Sequence, residues 1–294
     1  MNELATGSIA TDVAPHLTHT LITGASAGLG VELARLFAVD GNPLVLTARN
    51  EDRLIQLADM LRRDHEIDVR VIACDLAAPR GADELLERLR DEGVGVRVLV
   101  NNAGFGAYGA FEARETDLYQ QMVELNIATL TTLTRDLLPA MKRFAAARGV
   151  TEPDASSPGV LNVASTAAFQ PGPLMAVYFA TKSYVLSFTE ALHEELRGSG
   201  VLATAFCPGP TRTEFFTQDA MIPAGDLTAN DLAEYHRRDH RRMDAGLAAR
   251  IGYRGFLADR AIVIPGARNL LMAKMVRFIP RFITRRLAHR MMKK

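Results

Sequence analysis

The feature that most constrains this chain is a glycine-rich turn between an apolar segment and a helical pattern. Residues 21–23 are apolar and β-prone, residues 23–30 read Thr-Gly-Ala-Ser-Ala-Gly-Leu-Gly, and residues 31–37 have helical periodicity. Glycines allow a tight turn and a close approach of backbone to phosphate, and the helix N-terminus after them offers unpaired N–H groups and a positive dipole end. This order predicts a dinucleotide site near the start of a parallel sheet.

The rest of the chain alternates between apolar runs and helical patterns. Strands are predicted at 19–23, 43–48, 69–74, 96–100, 159–164, 201–207 and 261–264, and helices at 29–39, 51–64, 80–91, 115–147 and 175–197. Continuous apolar strands are typical of a parallel sheet covered on both faces, and alternating elements give right-handed crossovers. We expect an α/β fold, a doubly wound, Rossmann-like parallel sheet of about seven strands. One domain spans residues 1–265, with a polar surface loop at 149–158.

A second pattern supplies candidate chemistry. Tyr178 and Lys182 are four residues apart in a predicted helix, and Ser165 follows a predicted buried strand. A spacing of four places the phenol and the ammonium on one helix face. Because a nearby cation favours the phenolate, we expect Lys182 to lower the pKa of Tyr178. Tyr-x-x-x-Lys alone is a weak pattern, and the glycine-rich turn upstream is what makes it specific.

With these motifs in order, the chain resembles the short-chain dehydrogenase/reductase family over roughly residues 18–215. The turn at 23–30 is similar to the family's Thr-Gly-x-x-x-Gly-x-Gly motif, residues 101–104 to its Asn-Asn-Ala-Gly motif, and residues 208–213 to its Pro-Gly-x-x-x-Thr segment. The resemblance implies an oxidoreductase that transfers hydride between a nicotinamide and a carbonyl or alcohol. It implies a catalytic tetrad of Asn126, Ser165, Tyr178 and Lys182.

The resemblance also implies the roles of these residues. Tyr178 is the expected proton donor, Lys182 holds the nicotinamide ribose, Ser165 polarises the carbonyl, and Asn126 positions a water that links Lys182 to solvent. For Asn126 an ordinary helix-interior amide satisfied by backbone stays open. Cofactor contacts are implied at Gly24, Ser26, Ala27, Gly28, Leu29, Gly30, Arg49, Asp75, Leu76, Asn102, Ala103, Gly104, Tyr178, Lys182, Pro208, Gly209, Thr211 and Thr213.

Arg49 decides the cofactor preference. An acidic residue at the end of the second strand usually receives the ribose hydroxyls of NAD, and this strand ends instead in Ala48-Arg49-Asn50. A guanidinium can form paired bonds to a 2′-phosphate, so NADP(H) is preferred and NAD(H) stays open. The alternative is a surface arginine that starts the next helix. Asp75 resembles the family residue that contacts adenine, with a helix N-cap or turn acid as the alternative.

The substrate region is predicted to be apolar. Candidate lining residues are Phe105, Tyr108, Phe169, Pro171, Leu174, Met175, Phe215 and Phe216. Such a pocket favours a hydrophobic ketone or aldehyde, although some of these side chains can simply pack the fold. The resemblance places a variable substrate lid at about 213–250. Within it, the spacing of His236 and His240 suits a metal on one helix face, but no third ligand is recognisable, so no metal is predicted.

Composition limits the function classes. The 294 residues carry 34 basic and 34 acidic side chains, which does not favour nucleic acid as a partner. Cys74 and Cys207 each end an apolar run and are expected to be buried thiols in a reducing compartment. No signal-peptide pattern or membrane-length apolar run is found, so a cytoplasmic enzyme is expected. The alternative class is a non-catalytic NADP-binding sensor or interaction protein on the same fold.

The C-terminal tail departs from the family pattern. Residues 267–294 contain nine basic and no acidic residues, with apolar positions at three- and four-residue steps. This pattern predicts a domain-like tail at 266–294 made of two amphipathic helices broken at Pro280. Peripheral contact with an anionic membrane, packing on a partner subunit, and a cover over the substrate mouth all stay open. By resemblance, the helices at 115–147 and 175–197 imply a homodimer or homotetramer.

Overall fold

Seven parallel strands form one sheet at the centre of the molecule. The computed structural model describes residues 17–149, 156–213, 215 and 242–292. The strand order is β3-β2-β1-β4-β5-β6-β7. The strands are β1 Leu17–Thr23, β2 Leu44–Ala48, β3 Val69–Ala73, β4 Gly95–Asn101, β5 Gly159–Val163, β6 Leu202–Phe206 and β7 Ile262–Val263. The order reverses direction between β1 and β4, and a crevice opens at the carboxyl ends of the strands at such a switch point.

Helices cover both faces of the sheet. They are α1 Gly28–Val39, α2 Glu51–His65, α3 Gly81–Asp91, α4 Thr116–Val123, α5 Leu130–Ala147, α6 Ala176–Glu195, α7 Ala245–Leu257, α8 Ala267–Val276 and α9 Arg281–Met292. A π-helical segment, Glu124–Thr129, joins α4 to α5, and a 3₁₀ turn, Thr166–Phe169, follows β5. The doubly wound α/β prediction is therefore confirmed.

Alternate residues of each strand reach separate hydrophobic cores. Leu21 belongs to the core on the side of α3, α5 and α6, and its neighbour Ile22 belongs to the core on the side of α1, α2 and α7. Both side chains are fully buried. Successive side chains of a strand point to opposite faces, so an apolar residue at each position requires that both faces be covered. This packing explains why the strands read as continuous apolar runs.

The predicted elements agree with the structure to within a few residues, apart from one change of winding. The single helix predicted at 115–147 contains the π-helical segment, because the register there shifts to i→i+5. The tail forms two helices, α8 and α9, separated at Pro280 as predicted. Residues 150–155, most of the expected lid, and Phe216, His236 and His240 lie outside the described residues. The domain division at Pro265 stays a prediction.

One further expectation is confirmed within the part of the chain that the structure describes. Cys74 and Cys207 are both buried free thiols. None of the described helices has both the length and the apolar character that crossing a bilayer demands.

Candidate active site

A cavity of about 1540 Å³ opens at the carboxyl ends of the strands. It extends from the turn before α1, past the ends of β2, β4 and β5, to the N-terminal part of α6 and one face of α8. Predicted site residues on its wall are Gly24, Ser26, Ala27, Gly28, Leu29, Arg49, Asp75, Leu76, Asn102, Ala103, Gly104, Phe105, Ser165, Phe169, Met175, Tyr178, Lys182, Pro208, Gly209, Thr211, Thr213 and Phe215. Gly30 and Asn126 lie behind this wall.

The glycine-rich turn presents bare backbone to the cavity. Gly24 and Gly28 have φ angles of +65° and +57°, which L side chains rarely adopt. Ala27 precedes α1 without a side-chain cap, and the first turn of the helix contains no acidic residue. The positive end of the helix dipole is therefore left for an anion, which fits the pyrophosphate of a dinucleotide.

Thr23 and Asn102 fix this turn against the end of β4. The Asn102 side-chain amide donates to the carbonyl oxygens of Thr23 at 2.9 Å and Gly24 at 3.1 Å. The Thr23 hydroxyl accepts from the backbone N–H groups of Asn102 at 3.0 Å and Ala103 at 2.9 Å. Asn102 thus acts on the backbone of the turn, which makes it a positioning residue for this end of the cavity.

Two arginines lie at the end of the cavity beyond β2. Arg49 is exposed and lines the cavity there, and Arg53 from the first turn of α2 lines the same region. The cofactor contact of Arg49 stays a prediction. Arg53 was not among the predicted site residues, because nothing in its local sequence separates it from an exposed arginine of α2. The side-chain oxygen of Asn50 caps α2 by accepting from the Arg53 N–H at 3.0 Å. The cap fixes the backbone of the turn from which both arginines line one end of the cavity.

Asp75 lines the cavity next to Leu76 at the end of β3. Its carboxylate accepts from the Ala77 N–H at 3.0 Å, so it holds a turn as the alternative interpretation expected. The Thr129 hydroxyl in the π-helical segment donates to the Leu76 carbonyl at 2.7 Å. An adenine contact by Asp75 stays a prediction.

Ser165, Tyr178 and Lys182 converge in the middle of the cavity. Tyr178 and Lys182 are buried, and the Ser165 side chain lies near enough to Tyr178 to lower the pKa of its phenol. Ser165 ends the loop after β5, where its hydroxyl oxygen accepts from the Ala167 N–H at 3.1 Å. The Lys182 ammonium nitrogen donates to the Val163 carbonyl at 2.8 Å and lies 5.9 Å from the centre of the Tyr178 ring.

The protein's own groups give Tyr178 and Lys182 pKa shifts in opposite directions. Burial raises the pKa of Tyr178 to about 12, against the opposing effect of the Ser165 side chain. Burial lowers the pKa of Lys182 to about 8. The electrostatic effect of Cys207 raises this pKa but is smaller than the effect of burial. The expectation that Lys182 lowers the pKa of Tyr178 is therefore wrong, since the pKa is raised. Desolvation disfavours both charged forms, and for Tyr178 the opposing effect comes from Ser165.

Asn126 lies in the π-helical segment, 99% buried behind Gly104. Its amide nitrogen donates to the Phe105 carbonyl at 3.0 Å and the Thr181 hydroxyl at 3.0 Å, while its oxygen accepts from the Phe105 N–H at 3.2 Å. A Cβ added at Gly104 would lie 2.9 Å from this oxygen and 3.4 Å from the Lys182 nitrogen. Asn126 therefore clamps the backbone beside Lys182, and the predicted water stays a prediction.

The segment 208–213 closes the cavity from the side of β6. A Cβ at Gly28 would meet the Thr213 side chain at 3.1 Å, so this segment packs directly on the glycine-rich turn. The Thr211 hydroxyl donates to the Gly209 carbonyl at 2.9 Å. A Cβ at Gly209 would lie 2.4 Å from the amide nitrogen of Asn269, so only a glycine allows α8 to pack this closely.

The wall near Tyr178 is apolar. The Tyr178 and Phe215 rings have centroids 5.6 Å apart, and Phe105, Phe169 and Met175 line the same region. Three other predicted lining residues are not on the cavity wall: Tyr108, Pro171 and Leu174. Leu174 has a φ of +67°, and its carbonyl accepts from the Gly109 N–H at 2.9 Å. It therefore shapes the loop before α6.

One face of α8 also forms part of the wall. Asn269, Met272, Ala273 and Val276 line the cavity from this helix, together with Arg268 at its start. A cover over the substrate mouth was one of three open interpretations of the tail; α8 lines the cavity, and the cover itself stays a prediction. The three- and four-residue periodicity was visible in the sequence, but which face turned inward was not.

Comparison with known proteins gives the family. The short chain dehydrogenase family model matches residues 18–221, which is well over half of the chain. The chain therefore belongs to the short-chain dehydrogenase/reductase family and is an NAD(P)-dependent oxidoreductase of that family.

Three relatives illustrate the range of similarity. Sulfoacetaldehyde reductase 2 of Chromohalobacter salexigens is 33% identical over 72% of this chain and 78% of its own. A short-chain dehydrogenase from Sphingobium yanoikuyae, solved with NADPH, has a TM-score of 0.70 at 31% identity, over 85% of this chain and 89% of that one. A bulky-bulky ketone specific alcohol dehydrogenase from Comamonas testosteroni has a TM-score of 0.68 at 28% identity, over 90% and 93%.

Proposed function

We propose that this chain is an NADP-dependent carbonyl reductase that acts on bulky, apolar ketones or aldehydes, with the reverse oxidation of the corresponding alcohols. The observation that supports it most directly is a single continuous cavity. That cavity joins two arginines, an uncapped helix N-terminus, and a Ser165–Tyr178 pair surrounded by apolar side chains. The nucleotide end and the substrate end of the cavity are therefore connected, and the proposed proton donor, Tyr178, lies on the wall of the same cavity.

A bound nicotinamide would supply the hydride that the carbonyl carbon of the substrate accepts. Tyr178 donates its hydroxyl proton to the carbonyl oxygen, and a raised pKa keeps that proton on the phenol at neutral pH. Because Ser165 accepts from the Ala167 N–H, its own proton remains able to bond the substrate oxygen or the phenolate. Lys182, with a pKa of about 8, stabilises the phenolate and can return a proton near neutral pH.

The remaining residues fix these groups in place. Asn126 holds the Phe105 backbone and Thr181, and the Thr181 hydroxyl donates to the Tyr178 carbonyl at 2.8 Å. The loop after β4 and the first turns of α6 are therefore tied together around the reacting atoms. Fixed positions of this kind lower the entropic part of the barrier.

The NADP preference rests on Arg49, supported by Arg53 at the same end of the cavity. We expect Arg49→Ala to raise the KM for NADPH by about tenfold or more while leaving the KM for NADH nearly unchanged, because only NADPH has the 2′-phosphate that a guanidinium binds. Arg63→Ala is the matched control, since Arg63 is exposed near the far end of α2. Equal changes for both cofactors would contradict the preference.

The substrate class is proposed from the apolar wall formed by Phe105, Phe169, Met175 and Phe215. The Comamonas relative is named for bulky ketones and the Chromohalobacter relative for sulfoacetaldehyde, so the panel should contain both substrate types. Oxidation of NADPH and of NADH, followed by absorbance with each carbonyl, measures activity and cofactor choice together. Higher kcat/KM for the bulky apolar ketones supports the proposal, and a preference for sulfoacetaldehyde rejects this substrate class.

The proposal includes a homodimer or homotetramer in the cytoplasm. Along the α4–α5 and α6 helices, Val123 and Tyr184 are exposed apolar or aromatic side chains. Tyr184 stacks on Phe188, and its hydroxyl is 2.9 Å from that of Thr131. Light scattering coupled to size-exclusion chromatography measures the subunit count, and a monomer would reject this part of the proposal.

A further inference from the structure

Exposed apolar side chains are concentrated on α8, α9 and the turn between them. Of the fourteen exposed large apolar side chains in the described part of the chain, eight fall within residues 267–292. They are Leu270, Leu271, Met272, Met275, Phe278, Phe282, Ile283 and Leu287, of which Met272 also lines the cavity. We call the exposed side of residues 267–292 the tail surface. An apolar patch of this kind on a water-exposed face indicates an interaction site.

Helix α8 has two different faces. Asn269, Ala273 and Val276 line the cavity, and Ala273 is buried. Leu271 and Met275 are 62% and 49% exposed, at positions that fall on the opposite side of the helix. The helix therefore separates the interior of the cavity from the tail surface by its own thickness.

The charge of the tail surface indicates which class of partner it can bind. Its exposed basic residues outside the cavity wall are Lys274, Arg277, Arg281, Arg285, Arg286 and Arg290. Residues 267–294 have nine basic and no acidic residues, while the whole chain has 34 of each. The other 266 residues therefore have nine more acidic than basic residues. This asymmetry turns the tail towards an anionic surface and the rest of the molecule away from it.

We propose that the tail surface docks on an anionic lipid bilayer. Leu271, Met275 and Phe278 enter the boundary between headgroups and acyl chains, and the basic side chains around them contact lipid phosphates. Contact between the tail surfaces of two copies is disfavoured, because it would place like charges opposite one another. Docking brings the helix that lines the cavity to the lipid, so that an apolar substrate reaches the cavity from the bilayer; this last consequence rests on the proposed function.

The test uses the full chain and co-sedimentation with phosphatidylcholine vesicles, with or without phosphatidylserine. Binding is expected only with phosphatidylserine, and it should weaken at high salt because ions screen the basic groups. The variant Leu271→Ser/Met275→Ser/Phe278→Ser should bind these vesicles at least about tenfold more weakly, since apolar side chains are lost from the interface. Val39→Ser/Ile55→Ser, which removes exposed apolar side chains of α1 and α2, should bind like the wild type.

A second pair of variants separates charge from apolar insertion. The tail variant is Arg277→Gln/Arg281→Gln/Arg285→Gln/Arg286→Gln, and its matched control is Arg63→Gln/Arg80→Gln/Arg135→Gln/Arg197→Gln. The four control side chains are 73–83% exposed, so both variants lose four surface charges. We expect the tail variant to lose phosphatidylserine-dependent binding by about tenfold or more and the control to keep it.

Three outcomes would overturn the proposal. The first is equal binding of the wild type and both tail variants. The second is a loss of binding in the charge variant alone, which would mean surface adsorption without insertion. The third is an absence of vesicle binding together with a change in subunit count in the apolar variant, which would assign the tail surface to a protein interface. The vesicle assay requires no turnover, so its result is separate from that of the carbonyl panel.

Discussion

Replacement of Gly30 by alanine tests how the start of α1 is joined to the cavity wall. A Cβ at this position would lie 2.3 Å from the Gly24 carbonyl oxygen and 2.8 Å from the Asn102 amide nitrogen. Both atoms belong to the network that holds the glycine-rich turn, because the Asn102 amide donates to that carbonyl. The methyl group cannot fit unless the turn moves away from α1 and this hydrogen bond lengthens or breaks.

The expected change in the free energy of unfolding for Gly30→Ala is the sum of opposing effects. Alanine in a helix favours α1 by up to about 1 kcal/mol relative to glycine. Overpacking costs about 1–3 kcal/mol, and a weakened buried hydrogen bond costs about 1 kcal/mol more. The expected net result is a loss of about 1–3 kcal/mol in the free energy of unfolding. NADPH binding should weaken as well, since the displaced peptide forms the anion-facing turn.

Urea unfolding and NADPH titration of Gly30→Ala provide the two measurements. Gly246→Ala, at the start of α7, is the matched control, because its nearest contact is the flexible end of Glu32 at 3.0 Å. The control should unfold and bind close to the wild type. If Gly30→Ala matched the wild type in both its urea midpoint and its NADPH affinity, the proposed packing of the turn would be wrong.

Two further predictions follow from the pKa shifts. Burial lowers the pKa of Lys182 from 10.5 to about 8. The unfolded chain therefore binds more protons than the native protein between these pH values, so the free energy of unfolding rises from pH 8 towards 10.5, and this gain is lost again as pH falls through about 8. Urea unfolding at pH 7 and pH 9 should therefore show wild-type stability rising relative to Lys182→Met; a pH-independent difference would contradict this. Burial raises the pKa values of Cys74 to about 11 and Cys207 to about 12. Both thiols should react with a disulfide reagent at least about a hundredfold more slowly in the native than in the urea-unfolded protein, and equal rates would contradict this.

Much of the fold was readable in the sequence because its signals are local. The apolar strands, the glycine-rich turn and the helix after it depend on neighbouring residues, so strand and helix boundaries were predicted within a few positions. The motifs then located Ser165, Tyr178 and Lys182, which the structure brings to one cavity. The break at Pro280 was equally local, because proline removes a backbone donor and clashes with the preceding turn.

Other features depend on tertiary contacts and could not be predicted from spacing. Arg53 lines the cavity from the first turn of α2, whose start is capped by Asn50 at the end of β2. The pKa of Tyr178 follows from its burial, whereas the sequence showed only a cation four residues away. The inner face of α8 is selected by the close approach of Gly209 and Asn269, two residues that are sixty positions apart in the chain.

Reduction of a carbonyl by Tyr178→Phe protein tests the central proposal most directly. The substitution removes the proposed proton donor and keeps the ring that packs against Phe215. With NADPH and the best ketone of the panel, kcat should fall by about 10²–10⁴, while fluorescence titration shows NADPH affinity close to that of the wild type. Tyr184→Phe, exposed on the same helix, should keep full activity. Wild-type turnover by the Tyr178→Phe protein would contradict the assignment of this phenol as the proton donor.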